Sequence, residues 1–167
     1  MKSWQKISLV ILLLVLIIAK RPDSLTTPQL YIEDETVFFK QNYEQGFHAF
    51  VIPYTGYYCA IPRIIAAVAS LFPLEHVPFV NNLAVISLTW GLLLWILLVS
   101  NLPQRIRIGL AFAPLVVPNP WEVYHIAASF QSWLPYGMCV LLIQEPSNGI
   151  KKAVENVLLF IAGLTGP

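Results

Sequence analysis

Apolar residues gather in five segments, and this arrangement restricts what the chain can fold into more than any other feature. The second segment, residues 77–100, contains no charged residue and has the length of a membrane-crossing helix. Only 11% of all residues are charged, whereas soluble domains average about 25%. We therefore predict one all-α membrane domain, residues 1–167, built as a polytopic helical bundle. The predicted spans are residues 5–20, 77–100, 106–118, 126–143 and 153–167.

The first segment has two interpretations. An apolar core at residues 7–19 behind Lys2 and Lys6 is typical of a signal peptide or of a short transmembrane helix. A cleavable signal has small residues at A-x-A spacing after its core, whereas this core runs into Lys20 and Arg21. The residues therefore favour an uncut membrane anchor.

Basic residues beside the segments set the predicted orientation, because they concentrate on the cytoplasmic side. Three pairs indicate one side: Lys2/Lys6, Arg105/Arg107 and Lys151/Lys152. Lys20 and Arg21 oppose this assignment. We predict an integral membrane protein with its N terminus in the cytoplasm and residues 21–76 outside.

Residues 21–76 form the only long polar passage and are predicted to be a large outer loop. Prolines interrupt it at Pro22, Pro28, Pro53, Pro62 and Pro73, and exposed irregular backbone does not occur within the hydrocarbon. Aromatic spacing in residues 35–47 and the apolar run at residues 63–72 each predict a short helix lying at the membrane interface.

Three consecutive acids, Glu33, Asp34 and Glu35, lead into the first of these interfacial stretches. Adjacent carboxylates repel, so we expect at least one raised pKa if the loop packs onto the membrane. A carboxylate in such a place can act as a general base toward a hydroxyl. The alternative is a solvated acidic turn at the N terminus of the following helix, where acids are favoured electrostatically.

Several short sequences occur in a recognisable order with this topology. They are Glu33-Asp34 with Val37-Phe38-Phe39, then Pro53-Tyr54-Thr55-Gly56-Tyr57, Pro62-Arg63, Glu122 and Gln131-Ser132-Trp133. The order resembles the N-terminal part of GT-C superfamily membrane glycosyltransferases, in particular a bacterial branch. The fifth segment stops at residues 164–167 without a flanking charge, so we expect the chain to be the first portion of such a protein.

The resemblance implies inverting sugar transfer from a polyprenyl-phosphate donor to a cell-envelope acceptor at a bacterial inner membrane, with the loop in the periplasm or outside the cell. Asp34 is the expected base, with Glu33 and Glu35 orienting or tuning it. Arg63 is the expected partner of the lipid phosphate, because guanidinium binds phosphate in a fork; the alternative is an arginine snorkelling to lipid headgroups.

Three further loop residues are weaker substrate-binding candidates. They are Lys40, His48 and Tyr57. Tyrosines here can stack on a sugar or belong to an interfacial aromatic belt. A lone histidine is more often a surface residue, which is also the interpretation for His76 and His125.

Composition excludes some partners and leaves one rival function. A net charge of +1 and no long basic run indicate no nucleic-acid partner. The three acids could hold Mg²⁺ or Mn²⁺, but no second ligand cluster is visible, so we predict no metal and no cofactor. Membrane lipid and the lipid-linked donor are the expected partners, and the oligomeric state stays open.

The alternative to the transferase function is a non-catalytic accessory or scaffold protein of envelope polysaccharide assembly.

Overall fold

The regular structure is helical throughout the part of the chain that the computed structural model describes, residues 2–118 and 123–165. An isolated antiparallel bridge joins Tyr54 and Tyr57. The α-helices are α1 (Ser3–Lys20), α2 (Asp23–Thr26), α3 (Lys40–Gln45), α4 (Ala60–Ala69), α5 (Val77–Leu94), α6 (Gln104–Val116), α7 (Trp133–Ile143) and α8 (Gly149–Thr165). The predicted all-α fold is confirmed for these residues.

Looser and tighter helical turns extend several of these helices. Wide π-helical turns occur at Asp34–Phe39, directly before α3, and at Trp95–Val99, directly after α5. Narrow 3₁₀ turns occur at Gly46–Val51, Leu74–His76 and Ala128–Ser132. The last of these begins the fourth apolar segment, so α7 itself starts later than the sequence pattern indicates.

Two helices are long and apolar enough to cross a membrane. They are α1 and the continuous helical stretch Leu74–Val99, whose mean hydropathies are 1.9 and 2.1. The same lengths and compositions occur in core helices of soluble proteins and, near an N terminus, in signal sequences. The structure thus supports membrane association at this coarse level.

The main core lies where α1, α5, α6 and α7 meet. Its fully buried members include Leu13, Ile17, Val85, Leu93, Ile96, Ala111, Trp133 and Val140. The contact between α5 and α7 is close, because a Cβ atom added at Gly137 would lie 2.9 Å from Leu92 Cδ1. A small residue at such a contact lets helix backbones approach.

Polar side chains face inward and many large apolar ones face outward. On α8, Glu155 and Thr165 are buried. The exposed residues of α8 include Ile150, Val154, Val157, Leu158 and Phe160. On α1 the exposed apolar residues include Trp4, Ile7, Ile11, Leu12 and Val15. Large exposed apolar surfaces mark contacts with membranes or other molecules.

Both predicted interfacial stretches contain helix, with shifted ends. The first occupies the π-turn at Asp34–Phe39 together with α3, and the second is α4. Helix α4 buries Ile65, Ala66 and Ala69 against the rest of the molecule. It leaves Ile64 and Val68 44% exposed, so it carries apolar residues on its outer face as well.

Candidate functional site

Asp34 lies at the start of the π-helical turn and is only 2% exposed. Its Oδ1 accepts a hydrogen bond from the backbone N–H of Ala128 at 2.7 Å. Its Oδ2 accepts one from the N–H of Ala127 at 2.8 Å and one from Asn81 Nδ2 at 3.2 Å. The carboxylate therefore joins the loop of residues 21–76 to α5 and to the segment that leads into α7.

The surroundings of Asp34 act on its pKa in opposite directions. Burial raises the pKa of this carboxyl most, and the nearby charge of Glu33 adds to that effect. The N–H groups of Ala127 and Ala128 and the Asn81 amide lower it, because they bind the ionised form. The pKa of Asp34 is raised on balance, with burial rather than repulsion between neighbouring acids as the leading cause.

The two neighbouring acids have different environments. Glu33 is half-buried, and its enclosed Oε2 has no hydrogen-bond partner among the described residues. Glu35 is exposed and lines a shallow surface pocket. The other lining residues of that pocket include Pro28, Gln29, Leu30, Phe39, Leu74, Val77 and Pro78. The three acids therefore do not act as one equivalent cluster.

A second set of buried polar groups surrounds Asp34, and sequence reasoning missed it. Ser24 Oγ lies 2.6 Å from His125 Nδ1 and donates to the carbonyl of Arg21 at 2.7 Å. Asn82 Nδ2 donates to the carbonyl of Ser24 at 2.9 Å. The pair Asn81-Asn82 in an apolar segment was the available signal, because buried amides need partners.

His125 is 2% exposed, so its interpretation as a surface histidine is wrong, whereas His48 and His76 are exposed. Its backbone has φ +60°, a left-handed conformation that non-glycine residues rarely adopt. Burial is the main cause that lowers its pKa to about 4; nearby Arg21 lowers it further, whereas carbonyls of Arg21 and Ile17 and the charge of Asp23 oppose the shift. The imidazole is thus neutral at pH 7.

Arg63 is 1% exposed and holds the loop together from within. Its Nε donates to the Tyr58 carbonyl at 2.9 Å, and its two terminal nitrogens donate to Gln41 Oε1 at 3.0 Å and to the Ile52 carbonyl at 2.5 Å. The guanidinium carbon also lies 5.5 Å from the centre of the Phe38 ring. These contacts occupy the guanidinium internally, and its role as a phosphate partner stays a prediction.

The remaining candidates lie on the surface of the loop. Lys40 is exposed, with its Nζ 4.0 Å from Glu44 Oε1. His48 is exposed, and Tyr57 is 42% exposed beside its bridge to Tyr54. Their substrate roles stay predictions. Glu122 lies outside the described residues.

An apolar groove of about 340 Å³ runs between α5, α7 and α8. The described residues that line it carry no charged side chain; they are Ile61, Ser87, Leu88, Gly91, Leu92, Trp95, Phe130, Leu134, Gly137, Met138, Leu141, Leu158, Ile161 and Ala162. Phe130 follows Ala128 by two residues, and the N–H of Ala128 binds Asp34. The groove and the acidic site therefore share the short turn Ala128–Ser132.

Within residues 2–118 and 123–165, no three side chains of His, Cys, Asp or Glu come together as a possible metal site; the absence of a metal or cofactor stays a prediction. No protein-family model matches the chain, and neither a curated protein nor a solved structure does. The arrangement of the residues is therefore the basis for assigning a function.

Proposed function

We propose that this protein is a polytopic membrane glycosyltransferase that transfers a sugar from a polyprenyl-phosphate donor to an envelope acceptor. The observation that carries the proposal is the Glu33–Asp34 pair, in which buried Asp34 is anchored by three donors and half-buried Glu33 has an enclosed oxygen without a described partner. Its place next to helices with outward apolar faces fits chemistry at a membrane surface. The bacterial inner membrane and a cytoplasmic N terminus belong to the same proposal.

The geometry favours Glu33 over Asp34 as the proton acceptor. Freeing Asp34 would break three hydrogen bonds, and a bond to a charged group contributes about 1.5–3 kcal/mol. Glu33 is half-buried, and its enclosed Oε2 has no hydrogen-bond partner among the described residues that a substrate would have to displace. Asp34 then anchors the pair, and its own role as the base stays the prediction from the sequence.

The proposed reaction is an inverting transfer with Glu33 as the proton acceptor. The acceptor hydroxyl oxygen forms a bond to the anomeric carbon while the bond from that carbon to the phosphate oxygen breaks. The hydroxyl proton passes to Glu33, and the polyprenyl phosphate leaves with the electron pair. The groove between α5, α7 and α8 suits the polyprenyl chain, because its lining is apolar and its turn Ala128–Ser132 begins at the Asp34 site.

The second candidate is a non-catalytic scaffold protein of envelope polysaccharide assembly. The contacts of Arg63 favour it, since three loop oxygens already accept hydrogen bonds from this guanidinium. A polar loop stabilised in this way could serve as a docking platform without turning over a substrate.

The test is a transfer assay with the full chain in proteoliposomes, using polyprenyl-phosphate donors of several sugars. Glu33→Gln removes the proton acceptor but keeps the size of the side chain, so we expect at least a hundredfold loss of kcat, because a general base contributes about 10²–10⁴-fold. Glu75→Gln is the matched control, because Glu75 is exposed in the turn Leu74–His76.

Three outcomes separate the alternatives. Normal transfer by Glu33→Gln would reject Glu33 as the base. Loss of transfer in Asp34→Asn, with Glu33→Gln active and both variants folded, would instead support Asp34 as the base. If the folded wild-type protein transfers none of the sugars, the scaffold becomes the better assignment.

A further inference from the structure

The buried polar groups around Asp34 form a closed ring through four segments of the chain. Asp34 binds Asn81, and the next residue, Asn82, binds the carbonyl of Ser24. Ser24 binds His125, and the chain from His125 leads within three residues back to the amides that hold Asp34. Each connection except the two along the backbone is a hydrogen bond.

A short hydrogen bond joins His125 to α2. Ser24 Oγ lies 2.6 Å from His125 Nδ1, and the tautomer of the imidazole decides which of the two groups donates. The Ser24 hydroxyl also lies 2.7 Å from the carbonyl of Arg21, and the carbonyls of Arg21 and Ile17 interact with the imidazole. The bond to Ser24 is the one that connects the segment of His125 to α2.

Because the backbone of His125 is left-handed, the bond to Ser24 also affects the conformation of the residues that follow His125. A φ of +60° is strained for a residue with a side chain and persists only where the surroundings hold it. The turn at His125 directs the next residues so that the N–H groups of Ala127 and Ala128 both face the Asp34 carboxylate. If the side chain is released, the strain favours relaxation of this segment.

We propose that His125 is a positioning residue: its hydrogen bond to Ser24 fixes the Ala127 and Ala128 amides against Asp34 and thereby holds the Glu33–Asp34 pair in place. The link from this pair to sugar transfer rests on the proposed function, whereas the effect on Asp34 does not. The charged groups that act on the ring are Arg21 and Asp23 near His125, and Glu33 beside Asp34.

The sequence offers a direct way to observe Asp34. Asp23 and Asp34 are its only aspartates, so a chain labelled with ¹³C at the aspartate carboxyl gives two signals in detergent micelles. Asp23 has an exposed side chain, so its environment differs from that of buried Asp34. The titration midpoint of the Asp34 signal then reports how well the amides bind its ionised form.

Four variants separate positioning from general structural damage. His125→Phe fills the space but deletes the hydrogen bond, and Ser24→Ala deletes the same bond from its other side. His125→Asn is the conservative variant, because asparagine tolerates the left-handed conformation and keeps a short polar group. His76→Phe changes an exposed histidine outside the ring.

Weaker amide contacts favour the protonated carboxyl, so His125→Phe is expected to raise the Asp34 midpoint by about one pH unit, which is a tenfold change in proton affinity. Ser24→Ala is expected to raise it in the same direction. His125→Asn and His76→Phe are expected to leave it within about 0.3 unit of wild type. An unchanged midpoint in Ser24→Ala would overturn the proposal, including in the case where His125→Phe fails to fold.

The transfer assay separates this proposal from the proposed function. With an active enzyme, His125→Phe is expected to lower kcat about tenfold with little change in KM, and His125→Asn is expected to restore it. If wild type has no transfer activity but the Asp34 midpoint moves as expected, the positioning role stands and the glycosyltransferase assignment fails.

Discussion

Asp34 and Glu155 are both buried carboxyl groups, but different parts of the chain hold them. Backbone N–H groups 93 and 94 residues away bind Asp34. Glu155 Oε1 accepts from the side chains of Gln144 and Ser147, each at 2.8 Å and only 11 and 8 residues away. The Asp34 site therefore depends on long-range packing, whereas the Glu155 site closes a local turn between α7 and α8.

The kind of donor also affects how much stability each site loses when its carboxylate is removed. Gln144 and Ser147 are buried side chains that also bind Asn101, so they keep one hydrogen-bond partner when the Glu155 carboxylate is lost. A backbone N–H is fixed by the fold, so losing its acceptor leaves a buried donor without a partner, which costs about 1–3 kcal/mol for each group. Removal of the Asp34 carboxylate is therefore expected to cost more stability than removal of the Glu155 carboxylate.

The largest expected difference is between Asp34→Ala and Glu155→Ala. Asp34→Ala leaves the N–H groups of Ala127 and Ala128 and the Asn81 amide without their acceptor, so we expect a loss of about 4 kcal/mol of stability. We expect about 2 kcal/mol for Glu155→Ala, because only two donors lose their acceptor and both side chains keep a hydrogen bond to Asn101. Denaturant unfolding in detergent micelles measures both. Equal losses, or a larger one for Glu155→Ala, would contradict the distinction between backbone and side-chain donors.

The second expected difference is in the response of stability to acid, and it concerns the Asp34 site. The folded-state pKa of His125 is lowered from 6.5 to about 4, so the folded protein binds this proton more weakly than the unfolded chain. Stability attributable to His125 is therefore present above pH 6.5 and is lost as the pH falls through 4, by up to about 3 kcal/mol. Asp34 opposes this trend, because its raised pKa makes acidification favour the folded state.

Unfolding free energies of wild type and His125→Asn at several pH values between 7 and 4 measure this effect. The variant should lose less stability on acidification than wild type. His48→Asn is the matched control, because His48 is exposed, and it should follow the wild-type curve. Parallel curves for wild type and His125→Asn would show that His125 is not the group responsible.

The helices could be predicted from the sequence, but the partners of the site could not. Apolar length and the prolines around residues 63–72 are local properties, and helices form close to the predicted positions. The partners of Asp34 are 47 to 94 residues distant and include two backbone amides, which have no residue type that a pattern can detect. Arg63 was recognised as important for its chemistry, yet burial directs its guanidinium to loop carbonyls.

The smallest expected difference compares one hydrogen-bonding residue from each site. Ser24→Ala removes the buried bonds to His125 and to the Arg21 carbonyl, and we expect a loss of about 1.5 kcal/mol. Lys151→Ala removes exposed bonds to the Val99 carbonyl and Asn101 Oδ1, where water can replace the lysine, so we expect about 0.5 kcal/mol or less. The same denaturant measurement compares them. If Lys151→Ala costs more than Ser24→Ala, the exposed bonds of Lys151 stabilise the protein more than the buried bonds of Ser24. Burial of the hydrogen bonds would then no longer explain the difference between the Asp34 site and the Glu155 site.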